Sequence, residues 1–171
     1  MEVKLLILDV DGTLTDGGIY IGSDKTETKR FQAKDGLIVR VFPKLGIRTL
    51  ILTGRYSDLT QIRADDLSVS FVIQGVGNKV EALGKFMLEH NIAPEHIAYI
   101  GDDLNDFAAM QLCCFRACPN DAANEIKKIC DYTSPLNGGQ GAVRDCCEFL
   151  LKKTGKYDAF LKTFDVVHNC I

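Results

Sequence analysis

The apolar run from Val3 to Leu8 is broken at once by Asp9-Val10-Asp11-Gly12, two carboxylates two residues apart with a glycine behind them. A short buried strand ending in this way constrains the fold more than any other stretch, because open α/β sheets bind ligands in the crevice beyond the carboxyl ends of their strands. Alternation along an extended chain sets Asp9 and Asp11 on one side, and Gly12 permits a sharp backbone exit. The pattern suits a metal cation and chemistry on an anion. Asp and Gly after a strand are also ordinary turn formers, so the pair taken alone leaves both readings open.

The rest of the chain repeats the rhythm. Ile19-Tyr20-Ile21 and Glu27 to Phe31 flank Gly22-Ser23-Asp24-Lys25, which predicts a β-hairpin standing over the crevice as a flap. Asp35 is expected to cap a helix running to about Lys44, interrupted by Pro43 and closed by Gly46. Ile47 to Leu52 then reads as a strand ending in Thr53-Gly54-Arg55, followed by a helix to Leu67, a strand at Phe71 to Ile73 and a helix from about Asn78 to His90. Ile97 to Ile100 forms a strand that ends in Gly101-Asp102-Asp103. Helices over Leu104 to Leu112, Ala122 to Ile129 and Ala142 to Lys153 and strands at Cys114 to Ala117 and Tyr132-Thr133 complete the reading. Strands alternating with helices imply a Rossmann-like parallel sheet covered on both faces. In right-handed βαβ units the strand-end clusters fall on one rim, so Asp9, Asp11, Thr53, Asp102 and Asp103 are expected to meet.

With 171 residues of which 46% are hydrophobic, the chain reads as one domain over 1–171, with the flap at about 18–32 and a C-terminal tail at about 156–171. A net charge of −3 with dispersed basic residues lacks the footprint of a nucleic-acid binder. No apolar stretch nears the ~20 residues of a membrane span, and the amino terminus lacks a signal-peptide pattern, so a cytoplasmic protein is expected. The seven cysteines are odd in number and include adjacent pairs, poor spacing for metal ligation. They read as free thiols in a reduced compartment. His90, His96 and His168 are scattered and carry no assigned role.

Phosphoryl transfer needs a nucleophile, neutralisation of the equatorial oxygens and a proton source for the leaving group. Asp9 can attack phosphorus to give an aspartyl-phosphate, and Asp11 can protonate the departing alkoxide and later deprotonate water. Mg2+ prefers hard oxygen ligands, for which Asp9, Asp11 at its position on the turn, and Asp102 are the candidates. Thr53, the Gly54 amide and the Lys79 ammonium suit phosphate oxygens, although Lys79 alone also reads as a solvated helix lysine.

These residues in this order resemble the four motifs of the haloacid dehalogenase superfamily: Asp9-Val10-Asp11-Gly12-Thr13-Leu14-Thr15-Asp16, Thr53, Lys79, and Gly101-Asp102-Asp103-Leu104-Asn105-Asp106. The resemblance implies that Asp9 is the nucleophile, Asp11 the general acid/base and Asp102 a magnesium ligand, with Asp103, Asn105 and Asp106 in support. Bacterial receiver domains use a similar kit, but in them the phosphoacceptor follows on a later strand and Lys follows Thr at the end of the sheet. Here Lys79 precedes a second acidic cluster. The spans from Asp11 to Thr53 and from Thr53 to Lys79 leave no room for the cap domain that many superfamily members insert.

The whole chain is similar to one capless family, the 3-deoxy-D-manno-octulosonate 8-phosphate phosphatases. Asp11 to Gly18, Phe31 with Asp35-Gly36, Thr53-Gly54-Arg55, Gln74-Gly75 with Asn78-Lys79, and Gly138-Gly139-Gln140-Gly141-Ala142-Val143-Arg144 carry the likeness. It implies a phosphorylated sugar acid as substrate, a role in lipopolysaccharide precursor synthesis, and a homotetramer whose neighbouring subunits help close each site. Arg55 is suited to the substrate's carboxylate. The related nonulosonate 9-phosphate phosphatases tend to carry Glu there, which makes them the alternative. Arg63 matches an Arg shared by both groups and is implied to reach an adjacent subunit, though it reads equally as a surface helix arginine. Ile38, where the family usually has Gly, and Gln32, for a common Asn, depart from the pattern. A catalytically idle relative serving as an oligomerisation module is a third reading, in which motif carboxylates are lost; here Asp9, Asp11 and Asp102 are all present.

Overall fold

A computed structural model describes residues 1–166 of the chain. Its core is a six-stranded, wholly parallel sheet in the order β5-β4-β1-β6-β7-β8. The strands are β1 (Leu5–Leu8), β4 (Arg48–Leu52), β5 (Phe71–Ile73), β6 (Ile97–Ile100), β7 (Phe115–Cys118) and β8 (Tyr132–Thr133). A separate antiparallel pair, β2 (Tyr20–Ile21) and β3 (Glu27–Thr28), forms the hairpin. The helices are α1 (Ala33–Val39), α2 (Asp58–Asp66), α3 (Lys79–His90), α4 (Leu104–Met110), α5 (Asn124–Ile129), α6 (Ala142–Lys153) and α7 (Tyr157–Lys162).

Strand β1 lies at the middle because it is apolar on both sides. Leu6 and Leu8 face a core completed by α1, α2, α6 and α7, whereas Leu5 and Ile7 face one completed by α3, α4 and α5. All four side chains are fully buried, and each such burial stabilises the fold by about 1.5–3 kcal/mol. From β1 the chain builds outward through β4 and β5, then returns to β6 on the other flank. That reversal opens a crevice at the carboxyl end of β1. Only the hairpin and α1, followed by a single 3-10 turn at Phe42–Leu45, separate β1 from β4, and only α2 and β5 separate Thr53 from Lys79.

Three expectations need correction. Asp35 does not cap its own helix: α1 begins at Ala33, where the Gln32 side chain accepts from the Lys34 amide at 3.5 Å, and it ends at Val39 rather than near Lys44. Asp35 instead lies buried inside α1 and accepts from the Arg144 amide at 2.7 Å, capping α6, whose start at Gly141 has no side-chain cap of its own. Burial pushes the Asp35 carboxyl up to about 6. The local spacing that suggests a cap is satisfied by a partner 109 positions away. The C-terminal tail expected at about 156–171 contains α7, anchored by the buried Phe160; residues 167–171 lie outside the described residues. The hairpin strands are also shorter than Glu27 to Phe31 implies, Phe31 pairing back onto Thr15 instead.

Two glycines separate backbone freedom from packing need. Gly84 sits within α3 with open space where a Cβ would point. A Cβ on Gly138 would collide with the Gly12 carbonyl. Gly84→Ala is expected to stabilise the protein by about 0.5–1 kcal/mol, and Gly138→Ala to destabilise it by about 2 kcal/mol or more. Urea denaturation of both variants checks the opposite signs.

Candidate active site

Beyond β1 the chain turns through Val10–Leu14 with Gly12 at φ +92°, and the Thr15 amide closes the turn on the Val10 carbonyl at 3.0 Å. A side chain at Gly12 would strike the Asp102 carboxylate, so glycine here lets the turns after β1 and β6 come together. The Asp9 amide donates to the Ile100 carbonyl at 3.0 Å, fixing Asp9 at the seam of β1 and β6. The Thr13 hydroxyl donates to Asp102 Oδ1 at 2.7 Å.

Asp9, Asp102 and Asp106 each place a carboxylate oxygen within 4.8 Å of the others. Lys79, the first residue of α3 and only 3% exposed, sets its ammonium 2.9 Å from Asp9 Oδ1 and 2.6 Å from Asp106 Oδ1. Asp106 also accepts from the Tyr99 hydroxyl at 2.7 Å and from the Asp102 and Asp103 amides at 3.1 and 3.4 Å, and with Asp103 it forms the capping box that starts α4. Asp106 is thereby saturated and acts as the anchor for Lys79. Asp9 and Asp102 keep oxygens facing the crevice.

Burial drives the Asp102 carboxyl up to about 8, with the Asp9 and Asp106 charges adding to it and the Thr13 hydroxyl opposing. Asp9 is pushed up to about 6 by burial and by Asp106, against the pull of Lys79. Burial works against the Lys79 charge, yet Asp9 and Asp106 outweigh it and hold its pKa above the ordinary value. Two acids short of positive charge, presenting hard oxygens, fit a divalent cation such as Mg2+. Asp9 Oδ1, although near Lys79, has no aligned hydrogen bond, and neither does the buried Asp11 Oδ2.

A cleft of about 470 Å³ opens on these groups, lined by Asp9, Asp11, Gly12, Gly17, Thr53, Gly54, Arg55, Asp102, Asp103 and Asn105. Thr53 is held at the end of β4 by its amide donating to the Ile73 carbonyl at 3.0 Å. The strand-end residues expected to converge therefore do so, with Lys79 and Asp106 behind them. The Asp11 carboxylate stands apart from the acidic trio and pairs instead with Lys29, with Arg55 Nε 3.9 Å from its other oxygen. Arg63 lies outside the cleft: it stacks over Phe31, pairs with Asp66 at 2.6 Å and reaches the Gln32 carbonyl.

Two flap residues at the site escape a motif-based reading. Lys29 on the hairpin's return arm is buried against Asp11, and Glu27 accepts from Arg55 Nη2 at 2.9 Å and from the Ser57 hydroxyl at 2.8 Å. The only signal for them is the alternation of Glu27 and Lys29, which puts opposite charges on one face of a strand following an acidic pair.

A family model for haloacid dehalogenase-like hydrolases matches residues 58–144. The 3-deoxy-D-manno-octulosonate 8-phosphate phosphatase of Escherichia coli (strain K12) is 39% identical over 157 residues, covering 92% of this chain and 84% of that protein. The Yersinia pestis phosphatase of the same name is 35% identical with the same coverage. Among solved structures, the 3-deoxy-D-manno-octulosonate 8-phosphate phosphatase of Moraxella catarrhalis, in complex with magnesium, phosphate and KDO, is similar with a TM-score of 0.90 and 40% identity, over 95% of this chain and 93% of that one. The cobalt-bound phosphatase from Haemophilus influenzae gives a TM-score of 0.87 at 31% identity, over 93% of each chain.

At the site, the pH dependence of the metal-free protein follows from Asp9 and Asp102, and buried Asp35 adds to it with the same sign. Both bind protons more tightly folded than unfolded, so their contribution is full below about pH 4 and is lost as pH rises through about 6 and about 8. Asp102→Asn keeps an acceptor for Thr13 without the charge, and is expected to stabilise the metal-free protein at pH 8 by at least about 2 kcal/mol. Saturating magnesium should raise the thermal midpoint of the unsubstituted protein, by the equivalent of about 2.7 kcal/mol at a hundredfold excess over Kd, and leave Asp102→Asn nearly unmoved. Differential scanning calorimetry over pH, with and without magnesium, checks both.

Proposed function

Because this chain belongs to the haloacid dehalogenase-like hydrolases, and within them to the 3-deoxy-D-manno-octulosonate 8-phosphate phosphatases, we propose that it hydrolyses that sugar acid phosphate through an aspartyl-phosphate on Asp9. The observation that carries this reading is the buried Lys79 ammonium shared by Asp9 and Asp106, directly behind a cleft lined by acids, Thr53, Arg55 and glycines. A nucleophilic carboxylate must approach a phosphate dianion, and a fixed cation 2.9 Å away offsets their repulsion.

Asp9 attacks phosphorus as the ester P–O bond breaks, and Asp11 gives a proton to the departing sugar oxygen. Water then attacks the phosphorus of the aspartyl-phosphate, Asp11 takes its proton, and cleavage of the bond between phosphorus and the Asp9 oxygen frees Asp9 and inorganic phosphate. Thr53 and the Gly54 amide hold phosphoryl oxygens together with Lys79, and Thr13 holds Asp102 in place. Asp9 and Asp102 would hold Mg2+, with Asp11 adjoining on the turn; the ion supplies charge neutralisation on the phosphoryl oxygens. Asp103, Asn105 and Asp106 support the rim and anchor Lys79. Arg55 reads the substrate carboxylate, since its guanidinium is at the cleft wall and offers planar, paired donors.

The assembly belongs to the same reading. Ile19, Tyr20 and Ile21 on the hairpin are at least half exposed beside the cleft, an apolar edge that a neighbouring copy in a homotetramer would cover. Arg63, turned away from its own cleft, would serve that neighbour. Among the described residues no helix is long and apolar enough to cross a membrane, in keeping with a cytoplasmic enzyme.

Magnesium-dependent phosphate release tests the chemistry. Asp9→Asn is expected to cut kcat at least a thousandfold on both the sugar acid phosphate and an aryl phosphate, on the order of 4 kcal/mol of barrier; turnover surviving that change refutes the covalent step. Arg55→Glu is expected to lower kcat/KM at least tenfold more on the eight-carbon sugar acid phosphate than on the aryl phosphate. Equal losses would remove Arg55 from substrate recognition.

A further inference from the structure

The hairpin does more than stand over the cleft: it is tied to it by charge. Ser57 is the residue before α2, where a serine hydroxyl ordinarily caps the helix. Here it makes no cap and donates to Glu27 Oε2 at 2.8 Å, while its amide is held by Gln74 Oε1 at 3.0 Å. Glu27 spends its other oxygen on Arg55 Nη2 at 2.9 Å. A local helix-stabilising bond is thus forgone in favour of one that joins the flap to the Thr53-Gly54-Arg55 turn.

Arg55 needs such a tie. Its side chain is 42% exposed, and besides Glu27 the acid beside it is Asp11, with Oδ2 3.9 Å from Nε. A long guanidinium side chain without a fixed acceptor loses much of its rotamer freedom only when ligand arrives, and that loss weakens binding. Glu27, with both oxygens engaged and its side chain 24% exposed, holds one edge of the guanidinium in advance and leaves its remaining donors for an incoming anion.

We propose that Glu27 is a positioning residue for substrate discrimination, fixing Arg55 at the cleft wall so that sugar phosphates bearing a carboxylate bind more tightly than those without one. Glu27 does not itself line the cleft and acts through Arg55. The role rests on the reading of Arg55 as the carboxylate-binding residue, and the experiment separates the two.

Five proteins are compared on the eight-carbon sugar acid phosphate and on an aryl phosphate lacking a carboxylate: unsubstituted, Glu27→Ala, Glu27→Gln, Arg55→Ala and the double variant Glu27→Ala with Arg55→Ala. Glu27→Ala is expected to raise KM for the sugar acid phosphate about tenfold with kcat within about twofold, and to leave both constants for the aryl phosphate within about twofold. Glu27→Gln, which keeps an acceptor for Arg55, should recover most of the loss. The double variant should be no worse than Arg55→Ala alone, because Glu27 has nothing to position once Arg55 is gone. A loss at Glu27→Ala that falls equally on both substrates, or that adds in full to Arg55→Ala, makes Glu27 a merely structural residue and overturns the proposal. Equal losses on both substrates at Arg55→Ala would overturn the reading of Arg55 itself, whereas selective loss at Arg55→Ala with none at Glu27→Ala would sink the positioning role alone.

Discussion

One buried ammonium holds the active end of this fold together. Asp9, at the end of β1, and Asp102 and Asp106, from the junction of β6 and α4, crowd oxygens within 4.8 Å, an arrangement that mutual repulsion and burial both oppose. The Lys79 ammonium, between Asp9 and Asp106, lets the seam of β1 and β6 exist with those acids in it. Tyr99 and two backbone amides then complete Asp106, so that Lys79 is aimed by a fully satisfied partner and not by chance packing. What remains unbalanced lies on the crevice side, at Asp9 and Asp102. The cost of folding is thus concentrated where a divalent ion relieves it.

The topology explains why so few residues suffice. Strand order reverses at β1, and the turns after β1, β4 and β6 deliver acids, Thr53 and Arg55 to one rim. Glycine makes the close approaches possible: Gly12 admits Asp102, Gly101 leaves room for the Asp106 carboxylate, and Gly138 admits the Gly12 carbonyl. A methyl group at any of these would push apart segments that must touch.

The sheet and the polar rim could be read in the sequence because both depend on short-range pattern. Leu5 to Leu8, Leu50 to Leu52 and Ile97 to Ile100 are buried runs that end in polar residues, and that punctuation alone marks strand ends and where they point. Thr53 and Asp102 followed from their places in that pattern, whereas Lys79 and Asp106 stood out through the order of the four motifs. Asp35 did not, since the helix it caps begins more than a hundred residues later and nothing near Asp35 announces it. α7 is short and depends on tertiary packing of Phe160 more than on its own periodicity. Glu27 and Lys29 were missed for a related reason: a two-residue strand gives almost no periodic signal, and their partners Arg55 and Asp11 are chosen by how the hairpin folds back.

The backbone from Gly138 to Gly141 packs directly on the turn that follows Asp9, with the Gly139 amide donating to the Thr13 carbonyl at 3.2 Å. Synthesis proceeds from the amino end, so the turn after Asp9 is among the first parts made and among the last to be braced. Closing contacts across that sequence distance also slows folding. The turn that carries Asp9 therefore reaches its final packing only once the segment from Gly138 to Gly141 is in place.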